Sequence, residues 1–364
     1  MSVHHGVASP AAVPLPDGSW RFIVSGDSRN CGDIVMPAIA AHSRQFNPSF
    51  YWHLGDLRAI YKIDEDIAFA NANEAHAPSC ETYQRLAWND FAAHQIAAFG
   101  DMPFYLGIGN HEVIPPKNED AFKRQFADWL DQPTLRHQRE LDNESGQAQA
   151  YYHWIQGGVD FVYLDNASDS LSDEQLQWLR RRLAGAKSDA AVKSLVVAMH
   201  EALPYSFARD HSMGDKKDEP ESLASGQKAY QALVSFRNES NKPVYVLASH
   251  SHFFMENIFA TAELTANGAQ PLPGWIVGTA GAVRYKLPDN APPGSKTDVY
   301  GYLLGTVSTD GTMQFSFEEI SASDVPQFIW QRYPGKAVLW CFEHNSQNKE
   351  PKAPDQTPRC TPPP

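Results

Sequence analysis

Two histidines one residue apart, His250 and His252, close the apolar run Val244-Tyr-Val-Leu-Ala-Ser. In an extended chain residues i and i+2 point the same way, so both imidazoles can face one point just beyond a sheet edge. Such a pair alone is as consistent with surface or capping histidines as with a metal site. Four further apolar runs also end on ligand-type residues. Arg21-Phe-Ile-Val-Ser-Gly ends on Asp27, Phe50-Tyr-Trp-His-Leu-Gly on Asp56, residues 103–109 on Asn110-His111-Glu112, and Ser194-Leu-Val-Val-Ala-Met on His200. Carboxylate, amide oxygen and imidazole are the ligand set of borderline-hard divalent ions such as Mn²⁺, Zn²⁺ and Fe²⁺. Any one of these residues is more simply a satisfied polar group at a turn, but that reading fits poorly when all of them occur in the same strand-end context.

The runs that carry these residues are short, rich in β-branched and aromatic side chains, and punctuated by Gly, the pattern of buried strands. Helical spacing occupies residues 33–46, with Asp33 as cap, and 64–99, in two pieces broken near Pro78. It recurs over 119–130, over 172–183 capped by Ser172, and over 227–238. Gly157-Gly158 predicts a hairpin between 151–155 and 159–165. Residues 274–281 and 300–320, the latter turning at Asp310-Gly311, supply further strands, while 131–149 and 205–222 read as irregular. Alternating strand and helix predict one large α/β unit, and open α/β sheets place active sites at their strand ends. The expected organisation is an extended arm over 1–20, one domain over 21–345 and a Pro-rich tail over 346–364. The run Arg180-Arg181-Arg182 reads as a solvated helix end favoured by the helix dipole.

With 364 residues, 42% of them hydrophobic, the chain can bury a large core. A formal net charge of −13 argues against a nucleic-acid or anionic-membrane partner, because that surface repels phosphate backbones. A small phosphorylated substrate would need a local cation to offset the same field. No apolar run approaches the ~18 residues of a membrane span, and residues 1–20 lack a signal peptide's hydrophobic region. Cys31, Cys80, Cys341 and Cys360 allow two bridges in three connectivities. Cys341 and Cys360 flank the tail, and a bridge between them would tie it down. Bridged cysteines imply a periplasmic or secreted protein whose signal peptide is absent from this chain, whereas reduced ones imply the cytoplasm.

Taken in order, Gly-Asp27, Gly-Asp56, Gly-Asn110-His111-Glu112, His200 and Ser-His250-Ser-His252 resemble the five motifs of the calcineurin-like metallophosphoesterases. Gly278-Thr-Ala-Gly281 and Tyr300-Gly-Tyr-Leu-Leu are also similar, so the resemblance covers roughly 21–320. It implies a four-layer α/β/β/α sandwich in which two mixed β-sheets are flanked by helices. It also implies two divalent metal ions bridged by Asp56, with Asp27 and His252 on the first and Asn110, His200 and His250 on the second. Two such ions ~4 Å apart share a hydroxide at neutral pH and orient its attack on phosphorus. His111 then stands beside the leaving-group oxygen. Glu112 either orients a ligand or His111, or is a plain helix-start carboxylate.

Three positions depart from the family pattern. Many members have Asp-x-His in the first motif, where this chain has Asp27-Ser28-Arg29, and Arg has no lone pair for a metal. Purple acid phosphatases take that ligand from a Tyr three residues after the second Asp, which is Ala59 here, with Tyr61 two residues late. Ser249 replaces the usual Gly, a minor change if the backbone there is not left-handed. Arg29 is read either as the partner of Asp27 or as a bidentate phosphate clamp, and in the second case belongs with His111 among the catalytic residues.

The expected function is metal-dependent hydrolysis of a phosphoric ester, with a phosphomonoester favoured over a diester. The competing reading is a binding or scaffold protein whose first metal position has eroded, but a scaffold has no reason to keep His111. No Gly-x-Ser-x-Gly elbow supports a serine hydrolase. Gly107-Ile-Gly109 lacks the third Gly of a dinucleotide loop, Glu112 standing in its place. Specificity is expected from loops at 60–80, 115–146 and 205–221.

Overall fold

The strands that carry the ligand-type residues are buried along nearly their whole length, without the polar alternation of a sheet wetted on one face. Parallel strands covered on both sides have this pattern. The computed structural model describes residues 15–71, 78–144, 146–208, 211–215, 220–348 and 359–360. In chain order the first half contains β1 (Trp20–Ser25), α1 (Gly32–Ser43), β2 (Tyr51–His53), α2 (Glu65–Ala70), α3 (Cys80–His94), β3 (Phe104–Leu106), α4 (Glu119–Gln125), α5 (Ala127–Leu130) and α6 (Pro133–Leu141). There follow β4 (Tyr152–Gln156), β5 (Val159–Leu164), α7 (Asp173–Ser188), β6 (Ser194–Met199), α8 (Pro220–Ser240), β7 (Val244–Ala248) and β8 (Phe254–Glu256). The last elements are α9 (Ala262–Thr265), β9 (Gly274–Val277), β10 (Tyr300–Val307), β11 (Met313–Ile320), α10 (Gln327–Arg332) and α11 (Gly335–Glu343).

One sheet has the order β11-β10-β1-β2-β3, with β1, β2 and β3 parallel and the other two antiparallel. The other has the order β4-β5-β6-β7-β9-β8, parallel from β5 to β9 and antiparallel at both edges. Their facing surfaces meet in an aromatic layer. Tyr105 stacks on Trp154 at 3.9 Å between ring centroids, and Phe50 meets Trp154 and Phe161 edge-on at 5.4 and 5.2 Å. Such pairs add roughly 0.5–1.5 kcal/mol each beyond area burial. Apolar residues of α7 and α8 cover the far side of the second sheet, and α1 lies on the first sheet against β10 and β11. The expected pair of mixed sheets flanked by helices is therefore the observed fold. No helix among the described residues is long and apolar enough to cross a membrane.

The structure differs from the sequence reading at several points. Residues 133–141 form α6, not irregular chain; Pro133 starts it and Thr134, Leu135 and Gln138 are its buried residues, only one of them apolar and so too few to mark a periodic apolar stripe. α8 begins at Pro220, earlier than 227. β1 begins at Trp20, inside the expected arm, of which residues 1–14 lie outside the described residues. Within the expected tail, Ser346 bridges to Arg284 and Arg359 to Lys62. The cysteines pair as Cys31–Cys341 and Cys80–Cys360, with Cα separations of 5.9 and 5.1 Å, and Cys341–Cys360 is not formed. α11 carries Cys341 back to the start of α1, and residue 360 lies beside the start of α3, so spatial neighbourhood overrides closeness in sequence.

Asp33 is no cap either. It sits inside the first turn of α1 and turns its carboxylate to Arg58, the residue two beyond Asp56. Arg58 is fully buried, with Asp33 at 2.5 Å, Asp90 in direct contact, and Asp66 and Asp64 at 3.4 and 3.7 Å. Burial alone would raise the Asp33 carboxyl, but Arg58 and His94 hold it far below its usual range. Tyr333 and Gln95 also donate to Asp33, at 2.9 and 3.1 Å. The chain just beyond Asp56 is thereby bound to α1, α2 and α3. Arg58→Leu leaves these carboxylates without their cation and should cost ~3–5 kcal/mol in urea denaturation. A loss under 1 kcal/mol would mean that the carboxylates become neutral at little expense.

Candidate metal centre

Every residue proposed from the sequence stands at the carboxyl end of a strand: Asp27 beyond β1, Asp56 beyond β2, Asn110 and His111 beyond β3, His200 beyond β6, and His250 and His252 beyond β7. Backbone hydrogen bonds join these ends. Asp27 N–H donates to Gly55 O (2.9 Å), Ser28 N–H to Asp56 O (3.0 Å), Ser249 N–H to His200 O (2.9 Å), and Gly26 N–H reaches Val277 O of the second sheet (3.0 Å). Asp27, Asp56 and His250 adopt φ of 61°, 60° and 63°, which turns each side chain back over its strand end. Ser249 escapes that region, so the residue usual there as Gly is replaced without backbone strain, and its Oγ donates to Leu54 O at 2.9 Å. Gly109 is required by closeness, because a Cβ there would meet Asp56 Oδ1 at 2.5 Å and His200 at 2.8 Å.

The donor atoms fall into two groups that share Asp56, each group within 4.8 Å: Asp56, His200 and His250, and Asp27, Asp56 and His252. In the first group His200 Nε2 lies 3.3 Å from Asp56 Oδ1, 3.1 Å from Asn110 Oδ1 and 3.1 Å from His250 Nδ1. His200 Nδ1–H is spent on Leu54 O (2.9 Å), which leaves a lone pair at Nε2. In the second group His252 Nδ1–H is spent on Val283 O (2.7 Å), and its Nε2 lies 3.2 Å from Asp27 Oδ1. Asp27 Oδ2 accepts His250 N–H at 2.8 Å, while Asp27 Oδ1 and Asp56 Oδ2 are buried without a hydrogen-bond donor. Buried acceptors that lack a donor are what a cation satisfies. Burial pushes His250 and His252 well below the usual imidazole range, His200 and Arg29 respectively adding to the effect, so both offer neutral nitrogens. A third group, Asp33, Asp90 and His94, surrounds Arg58, which already supplies its cation.

The two groups are not equivalent. Arg29 lies with Nε 3.5 Å from Asp56 Oδ2 and a terminal nitrogen 3.1 Å from His252 Nε2, so it pairs with Asp56 and not with Asp27. The residues fit an ion fully in the group of Asp56, Asn110, His200 and His250. In the other group an ion competes with the guanidinium for two of its three donors. His111 Nδ1–H donates to Ala59 O (2.7 Å) and its Nε2 lies 3.6 Å from Asp56 Oδ2. Burial, reinforced by the Arg29 charge, brings His111 down to about 3. Of the roles expected for Glu112, the structure favours the orientation of a ligand-type residue, Asp56, over that of His111. The Glu112 carboxylate accepts the N–H groups of Asp56 (2.9 Å), Leu57 (3.0 Å) and Gly109 (2.8 Å), which ties the Asp56 turn to the Asn110 turn.

Sequence reasoning missed Tyr285, whose ring centroid lies 4.0 Å from that of His252 and whose hydroxyl stands within the field of the Arg29 charge. It also missed Glu201 and His211, at 3.7 and 3.4 Å from His250 Nε2. Glu201 adjoins His200 in sequence, a signal that was available. Tyr285 and His211 sit in loops with no motif spacing.

A family model described as calcineurin-like phosphoesterase matches residues 21–254. Among solved structures the chain is similar to the purple acid phosphatase PPD1 of yellow lupin (Lupinus luteus), with 15% identity and a TM-score of 0.54, over 84% of this chain and 52% of that one. It is also similar to PhoD, with 16% identity and a TM-score of 0.49, over 86% and 73%. The chain spans about half the length of the lupin protein, and that likeness is one of fold. No curated protein matches it by sequence.

Glu112→Gln keeps the shape but can offer only one oxygen to three N–H groups. It should lower metal affinity ~10- to 100-fold, read by metal analysis after dialysis against graded chelator. Unchanged retention would show that the two turns hold their places without it.

Proposed function

The chain belongs to the calcineurin-like phosphoesterase family, and from that premise we propose that it hydrolyses phosphoric esters, monoesters in preference to diesters, at a centre of two metal positions. What supports this reading is that the two donor groups share one carboxylate, Asp56, with Arg29 and His111 both placed at its Oδ2. Asp27, Asp56 and His252 would hold one ion, and Asp56, Asn110, His200 and His250 the other. Mn²⁺, Zn²⁺ and Fe²⁺ all suit the donor set. When bound, such ions offset phosphate charge and make water a nucleophile at neutral pH.

The remaining work falls to the chain's own residues. Asp27 Oδ2 and Glu112 fix the backbone at His250 and Asp56, so the donors need little reorganisation. Arg29 supplies a planar cation at the same carboxylate, suited to a dianionic monoester, and this is the ground for preferring that class. His111 turns Nε2 toward the site because Nδ1–H is fixed on Ala59 O. In its neutral form Nε2 carries a lone pair, and donation to a leaving oxygen requires the imidazolium, which an incoming phosphate dianion favours. The two disulfides support an oxidising compartment, periplasmic or extracellular, as the place of action.

Two variants test the assignments. His111→Ala should keep metal content near normal and lower kcat by ~10² or more; loss of metal instead would overturn the role given to His111. Arg29→His restores an imidazole at the position held against Asp56 and His252. It should reduce the added metal needed for half-maximal activity and, if Arg29 clamps phosphate, raise KM at saturating metal. An unchanged metal requirement would refute the competition between guanidinium and ion.

A further inference from the structure

His111 depends for its orientation on one carbonyl, that of Ala59, and Ala59 belongs to a turn of unusual backbone. Ile60, next in the chain, has φ 60° while fully buried. A β-branched residue in that region is costly and persists only where its surroundings hold it. Those surroundings come largely from α3. Tyr83 Oη accepts Ile60 N–H (3.1 Å) and donates to Asp64 (2.8 Å), and Gln84 donates to Ile60 O (3.1 Å). Ala59 N–H in turn meets Asp64 Oδ1 at 3.2 Å.

The other support comes from the far end of the chain. Cys360 N–H donates to Tyr61 O at 2.6 Å, and Arg359 pairs antiparallel with Lys62. Cys360 also packs against the small apolar cluster of Ile60, Ile63, Tyr83, Ala87 and Ile114. Its disulfide runs to Cys80, the first residue of α3, the helix that carries Tyr83 and Gln84. The Tyr61 ring, held between these contacts, has its centroid 5.5 Å from that of His111. One short segment is thus gripped from both sides, by α3 and by residues 359–360, and the disulfide joins the two grips.

We propose that residues 359–360, fastened by Cys80–Cys360, are a positioning element for His111, holding the 59–61 turn whose Ala59 carbonyl and Tyr61 ring set that imidazole against the leaving group. The inference rests on the phosphoesterase reading and on His111 serving the leaving oxygen. Release of the strap lets the turn relax, and Nε2 moves off the leaving group while the metal donors, fixed from the strand ends, stay in place. The disulfide is half-exposed, whereas Cys31–Cys341 is fully buried, so the two differ in access to a reductant.

The test compares 4-nitrophenyl phosphate, whose leaving group needs little help, with a simple alkyl phosphate, whose leaving group needs a proton. The paired substitution Cys80→Ser with Cys360→Ser should lower kcat for the alkyl ester ~tenfold or more, as a displaced catalytic group does. Activity on the nitrophenyl ester should change less than ~threefold, and metal content should be unchanged. Equal loss on both esters, or none on either, would overturn the proposal. If the double variant does not fold, limited reduction of the native protein, with mass mapping to show that Cys80–Cys360 alone has opened, must give the same selective loss, reversed on reoxidation. His111→Ala is measured beside it. If that variant lowers both esters equally, the role given to His111 fails and the inference falls with it. If it is selective and the strap variants are not, the inference alone fails.

Discussion

Asp56 is reached from both sheets, and most of the surrounding structure serves to keep its carboxylate still. One oxygen faces His200, on the second sheet, while the other faces Arg29 and His111, on the first. The residue is fully buried, so its charge persists only where cations or donors compensate it. Glu112 holds its backbone, Arg58 anchors the chain two residues on, and the aromatic layer between the sheets fixes the distance between the two rows of strand ends. Buried charge in this position is a liability for stability, and the fold answers it by surrounding it with groups that have little freedom to move.

The same constraint accounts for what the sequence disclosed. Residues that act at strand ends must be of ligand type and must follow a short apolar run, so Asp27, Asp56, Asn110, His200, His250 and His252 were all legible, and the structure brings them to one place. The individual strands were legible for a related reason, since buried runs and the Gly157-Gly158 hairpin leave local marks, whereas their division between two sheets followed only from the family resemblance. Contacts made only in three dimensions left none. Tyr285, the Arg58 cluster and the cysteine pairing each join residues far apart in the chain, with no periodicity to announce them. Helix α6 was missed because it rests on the molecule through only a few buried side chains.

Asymmetry between the two donor groups follows from the residue at position 29. An imidazole at position 29 would add a lone pair, whereas a guanidinium adds positive charge and donors, which turn toward His252 Nε2 and Asp56 Oδ2. The position thus carries a fixed positive charge where an imidazole would offer a metal ligand. Tyr285, packed on His252 near the Arg29 charge, completes that arrangement from a third loop.

The disulfides span 310 and 280 residues, each joining an early cysteine to a late one. During synthesis Cys31 and Cys80 therefore emerge long before their partners exist, and the first bond open to them is with each other. A correct fold demands either that both thiols wait until α11 and residue 360 arrive, or that a Cys31–Cys80 bond be exchanged afterwards. Cys31 ends fully buried in the apolar core, and burial of its thiol before Cys341 arrives would enforce the wait. Maturation of this protein is then ordered by the direction of translation, and its yield in a foreign host depends on thiol–disulfide exchange as much as on intrinsic stability.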